Sequence, residues 1–252
     1  MSEAANNRLS FGRDATAYLR YRPRYPRALF AHLAAIAPST GSALDCATGS
    51  GQAAVGLAER FLRVTAFDPS PEQIAAALPA ANLDYVVATA EALPFRDRSF
   101  DLVTAAQGAH WFNLEPFFEG LRLIAKPAAI IAIWGYSHAR VDPAVDRIVE
   151  QKLLGAIAPY WAAGNKVIVE HYRGIPFPFE ELAWPLFVAS QDWNLREFLF
   201  YLRTLSAVKR LAAETGTDPL PGLERALTPV WPPTERRNVS FDLVGRIGRI
   251  YA

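Results

Sequence analysis

Apolar and polar positions change pattern regularly from the start of the chain to about residue 135. Short apolar runs, typical of strands buried on both faces, alternate with segments that have the period of an amphipathic helix. The predicted strands span residues 43–47, 64–68, 83–88, 100–106 and 128–134, and helices are predicted over 52–60 and 115–124. This alternation predicts an α/β fold built on a doubly wound, Rossmann-like sheet that is mostly parallel.

The pattern is different beyond residue 135. Aromatic residues and prolines become frequent there, and helical periodicity is clearest over 195–205 and 207–215. Strand-like alternation returns only at 238–243 and 246–251. We therefore predict a Rossmann-like core with an N-terminal lid segment (1–138), a helical cap that forms the substrate region (139–235), and C-terminal strands that rejoin the core sheet (236–252).

Composition narrows the class of protein. Apolar residues make up 51% of the chain and charged residues 20%, as in ordinary globular domains. The formal net charge of +1 gives no electrostatic reason to expect a nucleic-acid or membrane partner. With a single cysteine and four scattered histidines, neither an intrachain disulfide nor a metal site is expected. Because no apolar stretch is long enough to span a bilayer and the N-terminus lacks a signal core, we expect a cytoplasmic protein, a monomer or homodimer.

A glycine-rich loop follows the first predicted strand and opens a helix. Gly49 and Gly51 allow a tight turn that brings backbone N–H groups against a ligand. Asp68 ends the next strand, at the spacing where a carboxylate accepts the two hydroxyls of a ribose. The loop also matches the dinucleotide fingerprint, which leaves a nicotinamide-dependent (NAD) oxidoreductase as an alternative. Against that alternative, Asp45 just before the loop would repel a pyrophosphate, and the chain has no Tyr-x-x-x-Lys pair for hydride chemistry.

These residues give the chain a resemblance to the class I S-adenosylmethionine-dependent methyltransferases of the type 11 group. The stretches similar to family motifs are the acidic residue and glycine loop at 45–51, the ribose-binding Asp68, the adenine-framing segment 89–95, the fourth strand at 99–103 and the turn at 123–129. The stretches similar to a narrower subgroup, that of trans-aconitate methyltransferase, are 18–26, 107–112 and 201–206.

The resemblance implies S-adenosylmethionine as cofactor, S-adenosylhomocysteine as product and a small-molecule methyl acceptor, for which a carboxylic acid methylated on oxygen is one candidate. The cofactor-binding residues predicted on this basis are Asp45, Ala47, Thr48, Gly49, Gly51, Gln52, Asp68, Pro69, Ala90, Glu91, Gln107, Trp111 and Tyr25. Methyl transfer from a sulfonium is an in-line displacement, so the protein mainly aligns the reactants and excludes water. The predicted catalytic residues are Tyr18, Arg22 and His110. Tyr18 would lie near the sulfonium, and Arg22 would pair with an acidic acceptor, as Arg203 could also do. His110 would orient the substrate or act as a base.

Three positions depart from the family pattern. Ala47 stands where many members have the first glycine of the loop, which is tolerable if Ala47 keeps ordinary dihedrals. Thr89 replaces a common aspartate near the adenine, and Ala128 and Ala129 replace two glycines in a structural turn. These departures leave open a second class of function, a sensor or partner subunit that binds the cofactor or its product without catalysing transfer.

Overall fold

The computed structural model describes residues 22–162 and 164–251. The strands are β1 (Ser42–Cys46), β2 (Arg63–Asp68), β3 (Leu83–Val87), β4 (Phe100–Ala106), β5 (Ala125–Tyr136), β6 (Glu180–Leu182), β7 (Phe187–Asn194) and β8 (Arg236–Arg249). The helices are α1 (Arg27–Ile36), α2 (Gln52–Ala58), α3 (Pro71–Ala75), α4 (Leu114–Ile124), α5 (Pro143–Val149), α6 (Gly155–Ile157), α7 (Asn165–Val169), α8 (Leu195–Arg203), α9 (Ser206–Thr215) and α10 (Leu220–Leu227). A π-helical stretch, Glu150–Leu154, joins α5 to α6, and 3-10 turns lie at Ala109–Trp111 and Ala158–Tyr160.

The described strands form one sheet in the order β3-β2-β1-β4-β5-β8-β6, and β7 also pairs with β8. Strands β1 to β5 run parallel, and β8 lies antiparallel to β5. The doubly wound, mostly parallel sheet is therefore confirmed. Because β1 and β4 are neighbours although β2 and β3 lie between them in sequence, the strand order reverses beside β1. Ligands of open α/β sheets bind at such a reversal, outside the carboxyl ends of the strands.

The predicted core segments become strands and helices for the reasons their patterns indicated. Strand β5 is buried from Ala129 to Tyr136, as a strand covered on both faces should be. Helix α4 buries one stripe formed by Phe117, Phe118, Leu121 and Ile124 against the sheet. Strand β4 pairs with β1 on one side and with β5 on the other, so that its end lies beside the loop after β1.

The C-terminal third departs from its prediction. The two strands expected at 238–243 and 246–251 form a single strand, β8, that pairs with β5 through one half and with β7 through the other. The region 139–235 contains helices but also β6 and β7, which extend the sheet. Their ladders join residues far apart in sequence, and such pairing leaves little local signal in a short polar strand.

The helices of this region share a hydrophobic core with the sheet. Trp134 on β5, Phe198 on α8 and Trp231 before β8 are all fully or almost fully buried in one cluster. The cap helices are therefore packed directly on one face of the sheet. Among the described residues, no helix is both long and apolar enough to cross a membrane.

Candidate active site

The first of two neighbouring cavities lies at the carboxyl ends of β1, β2 and β4, and we name it the loop cavity. The predicted cofactor residues that line it are Ala47, Thr48, Gly49, Gln52, Asp68, Pro69, Ala90, Glu91, Gln107, Trp111 and Tyr25. Asp45 and Gly51, also predicted to bind cofactor, are not part of its lining. The fold thus brings eleven dispersed positions from five separate segments to one cavity.

The glycine loop turns with three residues in the left-handed region. Ala47, Gly49 and Gly51 have φ angles of 50°, 54° and 83°. The expectation that Ala47 keeps ordinary dihedrals is therefore wrong, and an alanine in this region costs roughly 1–2 kcal/mol relative to right-handed backbone. A Cβ on Gly49 would meet nothing nearer than Gln73 Oε1 at 3.9 Å, so the loop leaves space beside its backbone. In this turn the N–H of Thr48 donates a hydrogen bond to Phe67 O at 2.9 Å, which attaches the loop to β2.

Asp68 ends β2 with its carboxylate fixed by two backbone donors. Oδ2 accepts the N–H of Gly49 at 2.9 Å, and Oδ1 accepts the N–H of Ser70 at 2.9 Å. Ser70 also caps α3, since its hydroxyl oxygen accepts the N–H of Gln73 at 3.2 Å. A carboxylate oxygen has a second lone pair, so Asp68 can still accept hydroxyls from the cavity.

Asp45 supports the loop from behind. It is fully buried, its Oδ2 accepts the Thr48 hydroxyl at 2.6 Å, and its Oδ1 accepts the Thr104 hydroxyl at 2.7 Å. Burial raises the pKa of this carboxyl to about 6, and the two hydroxyl donors reduce the size of that rise. Asp45 was predicted to bind the cofactor, but it is not part of the cavity lining. Asp45 instead orients Thr48, which does line the cavity.

The end of β4 connects the loop cavity to the second one. Gln107 has a φ of 57°, and its N–H donates to Trp134 O on β5 at 2.7 Å. This kink directs the chain into the 3-10 turn that carries His110 and Trp111. Gln107 and Trp111 line both cavities, and so does Tyr136 at the end of β5. The two cavities therefore meet at these three side chains.

The second cavity lies between the sheet and the cap, and we name it the cap cavity. Its volume is about 750 Å³, within the usual range of small-molecule sites. Its walls include the rings of Trp161, Phe198 and Tyr201, and the described lining residues include no aspartate or glutamate. Arg22 is the one lysine or arginine among those residues. The cavity thus combines aromatic walls with a single permanent positive charge from the described part of the chain.

Arg22 is held at the wall by polar and aromatic contacts. One guanidinium nitrogen donates to Tyr136 Oη at 2.7 Å and another to Thr204 O at 3.1 Å. The guanidinium carbon lies 5.7 Å from the centre of the Tyr201 ring, within cation–π range. These contacts set the charge beside Tyr136, and so beside the junction of the cavities.

His110 lines the cap cavity and not the loop cavity. Burial lowers the pKa of its imidazole to about 4, because the charged form would lose its hydration. The ring is therefore neutral near pH 7 and a weak base. This environment favours the orienting role predicted for His110 over the role of general base.

The remaining predicted residues are Tyr18 and Arg203. Tyr18 lies outside the described residues. Arg203 points away from both cavities, since its side chain is 57% exposed and forms an ion pair with Asp218 at 3.2 Å. Its predicted pairing with an acidic acceptor is not supported by this position. Arg196 and Arg203 are the exposed residues of α8, and they lie seven positions apart on the same face of the helix.

Sequence reasoning missed several lining residues. Tyr136 could have been found, because it ends a parallel strand at the same edge as Asp68 and Gln107. Asn165, Trp161 and Phe198 carried no comparable signal, since only the packing of the cap on the sheet brings them to the cavity.

Comparison with known proteins agrees with this geometry. The family model described as a methyltransferase domain matches residues 44–133, the segment from β1 into β5. A methyltransferase-family protein of Dictyostelium discoideum is 29% identical over 92% of this chain and 90% of its own length. An uncharacterized methyltransferase of Mycobacterium bovis is 41% identical over 53% of this chain and 55% of its own.

A solved structure extends the likeness to the whole fold. A protein from Anaeromyxobacter dehalogenans, described as a type II methyltransferase, is 43% identical with a TM-score of 0.87. The alignment covers 92% of this chain and 99% of that one, cap included. The narrower resemblance to trans-aconitate methyltransferase stays a prediction. With its loop, sheet order and cap shared with such relatives, the chain belongs to the class I S-adenosylmethionine-dependent methyltransferases.

Proposed function

We propose that this methyltransferase uses S-adenosylmethionine, bound in the loop cavity, to methylate a small carboxylic acid held in the cap cavity. The observation that carries the proposal is the junction at Gln107, Trp111 and Tyr136, where a donor in one cavity and an acceptor in the other would meet. In-line transfer requires such an arrangement, with the two reactants in separate sites that open onto each other.

The loop cavity suits the cofactor on its own chemistry. Asp68 offers two fixed carboxylate oxygens to ribose hydroxyls, and the open space beside Gly49 lets a ligand approach the backbone closely. Ala90 and Glu91 follow β3 on the adenine side that the family resemblance implies. When bound, the sulfonium supplies an activated methyl group. The face of Trp111 at the junction favours a positive charge there.

The cap cavity suits an anionic acceptor. Arg22 lies beside the junction through its bond to Tyr136, and the described lining residues include no carboxylate to repel an acid. A carboxylate oxygen attacks the methyl carbon as the carbon–sulfur bond breaks, and the electron pair of that bond goes to sulfur. No proton is lost, so no general base is required. This agrees with the weak basicity of His110.

Calorimetry with S-adenosylmethionine, S-adenosylhomocysteine and NADH tests the cofactor. We expect both sulfur nucleosides to bind and their affinity to fall at least tenfold in Asp68→Ala, since a ribose would lose two acceptors. Asp84→Ala, an exposed aspartate on β3 outside both cavities, is the control. A preference for NADH would replace the proposal with the oxidoreductase alternative. Asp45 is weaker evidence against that alternative than the sequence suggested, because its side chain lies behind the loop.

Turnover tests the enzyme itself. Incubation with labelled cofactor and a set of small acids should give methyl esters and S-adenosylhomocysteine in equal amounts. Tight nucleoside binding without product from any acid, phenol, amine or thiol would instead support the non-catalytic sensor.

A further inference from the structure

Three buried polar atoms around the cap cavity have no hydrogen-bond partner within the described residues. They are Gln107 Nε2, His110 Nδ1 and Asn165 Oδ1. Each atom is covered by protein in this structure but belongs to a residue that lines the cavity, so a rotation of its side chain would turn it toward a ligand. Leaving a buried polar atom unsatisfied costs roughly 1–3 kcal/mol, so such atoms rarely gather at one place without a function.

The packing of α7 brings two of these residues to the same wall. Helix α7 begins at Asn165 and contacts the 3-10 turn that carries His110. The approach is close at the preceding residue, since a Cβ on Gly164 would lie 2.8 Å from His110 O. His110 and Asn165 thus form an uncharged polar wall, and Gln107, three positions before His110, belongs to the junction.

The charges of the cavity limit what this wall can bind. Arg22, the one lysine or arginine of the described lining, lies beside Tyr136 at the junction. His110 stays neutral, because burial lowers the pKa of its ring to about 4. The other histidines of the described lining are His138, whose pKa is also lowered by burial, and His171. A second carboxylate at this wall would therefore be desolvated with no lysine or arginine of the described lining as its partner, which is costly. A hydroxyl or carbonyl would satisfy the same atoms without that cost.

The remaining walls indicate the body of the acceptor. The aromatic lining residues include Trp111 and Trp161, which are partly exposed, whereas Phe198 and Tyr201 are almost fully buried. Aromatic residues in the wall favour a flat apolar group between the two polar ends. A cavity of about 750 Å³ leaves room for such a group in addition to a carboxylate.

We propose that the acceptor is a monocarboxylic acid with a flat apolar body and a second, uncharged hydrogen-bonding group. His110 and Asn165 recognise that second group. This inference rests on the proposed function. The class is that of hydroxylated or carbonyl-bearing aromatic acids and excludes di- and tricarboxylic acids.

Binding of three matched acids tests the inference without depending on turnover. The probes are phenylacetate, hydroxyphenylacetate as its meta and para isomers, and para-carboxyphenylacetate, each titrated into protein saturated with S-adenosylhomocysteine. We expect one hydroxy isomer to bind at least tenfold more tightly than phenylacetate, and the dicarboxylate to bind more weakly than either. In His110→Phe and Asn165→Leu, the preference for the hydroxyl should fall below about threefold.

His32→Phe is the matched control, because His32 lines neither cavity, and it should keep the full preference. Binding of S-adenosylhomocysteine by each variant reports whether it is folded. The inference would be overturned by equal affinities for phenylacetate and hydroxyphenylacetate, or by tightest binding of the dicarboxylate. It would also be overturned if no acid bound, or if the preference survived both wall variants.

The failure of this inference differs from that of the proposed function. Methyl ester formed from phenylacetate as fast as from its hydroxy analogues would leave the proposed function standing and remove only the polar wall. Failure of the wild-type protein to bind S-adenosylhomocysteine would remove both.

Discussion

Replacing Asp45 by asparagine should remove a pH-dependent loss of folding stability. Burial raises the pKa of this carboxyl from 3.8 to about 6. A group whose pKa is higher in the folded than in the unfolded state binds its proton more tightly when folded. Wild-type stability from Asp45 therefore falls as pH rises from about 4 to about 6, and stays lower above that. A rise of about 2 pKa units corresponds to about 3 kcal/mol.

Urea unfolding of wild type and Asp45→Asn, followed by tryptophan fluorescence from pH 4 to pH 8, measures this loss. The relevant quantity is the difference in unfolding free energy between the two proteins at each pH. That difference should shift in favour of the variant by about 2 kcal/mol between pH 4 and pH 7, because the unfolded carboxyl is already more than half ionised at pH 4. A constant offset from altered bonds to Thr48 and Thr104 does not affect the shift.

The comparison is needed because His110 has the opposite effect. Its pKa is lowered to about 4, so the stability it contributes is complete above its ordinary value of 6.5 and is lost as pH falls toward 4. In the wild-type protein the two contributions partly cancel. Asp97→Asn, which removes an exposed negative charge, controls for the change in net charge. A difference between wild type and Asp45→Asn that stays flat with pH would refute the reasoning.

Three glycine or alanine positions give further predictions, all measured by urea or thermal unfolding. Ala128→Gly should stabilise the protein by about 1 kcal/mol, because Ala128 has a φ of 61°; a loss of stability would contradict this. Gly51→Ala should destabilise the protein by at least about 2 kcal/mol and weaken S-adenosylmethionine binding. The added Cβ would lie 2.0 Å from Tyr85 Oη, and the residue has a φ of 83°. Unchanged stability would show that Tyr85 can move away. Gly222→Ala, on α10 with nothing within 4 Å of the added atom, should instead gain about 0.5–1 kcal/mol, and a loss there would mean that the helix is not formed as described.

Local patterns in the sequence predict the core and the position of the loop. Apolar runs such as the one that became β5 can be buried only as central strands, and Gly49 and Asp68 lie at strand ends whatever the cap does. Because the carboxyl ends of parallel strands share one edge of the sheet, these signals place the loop and Asp68 side by side. The other predicted residues that line the loop cavity came from the resemblance to the methyltransferase family.

The tertiary structure sets which of those residues face a ligand and what forms the second cavity. The Asp45 carboxylate is turned inward because the hydroxyl of Thr104 on the neighbouring strand donates to its Oδ1, and Arg203 is drawn outward to Asp218. The cap cavity depends on contacts such as that between Arg22 and Tyr136, 114 positions apart in the chain. A local pattern records whether a side chain is apolar and what period it follows, whereas the direction of a polar side chain depends on partners that folding brings from elsewhere.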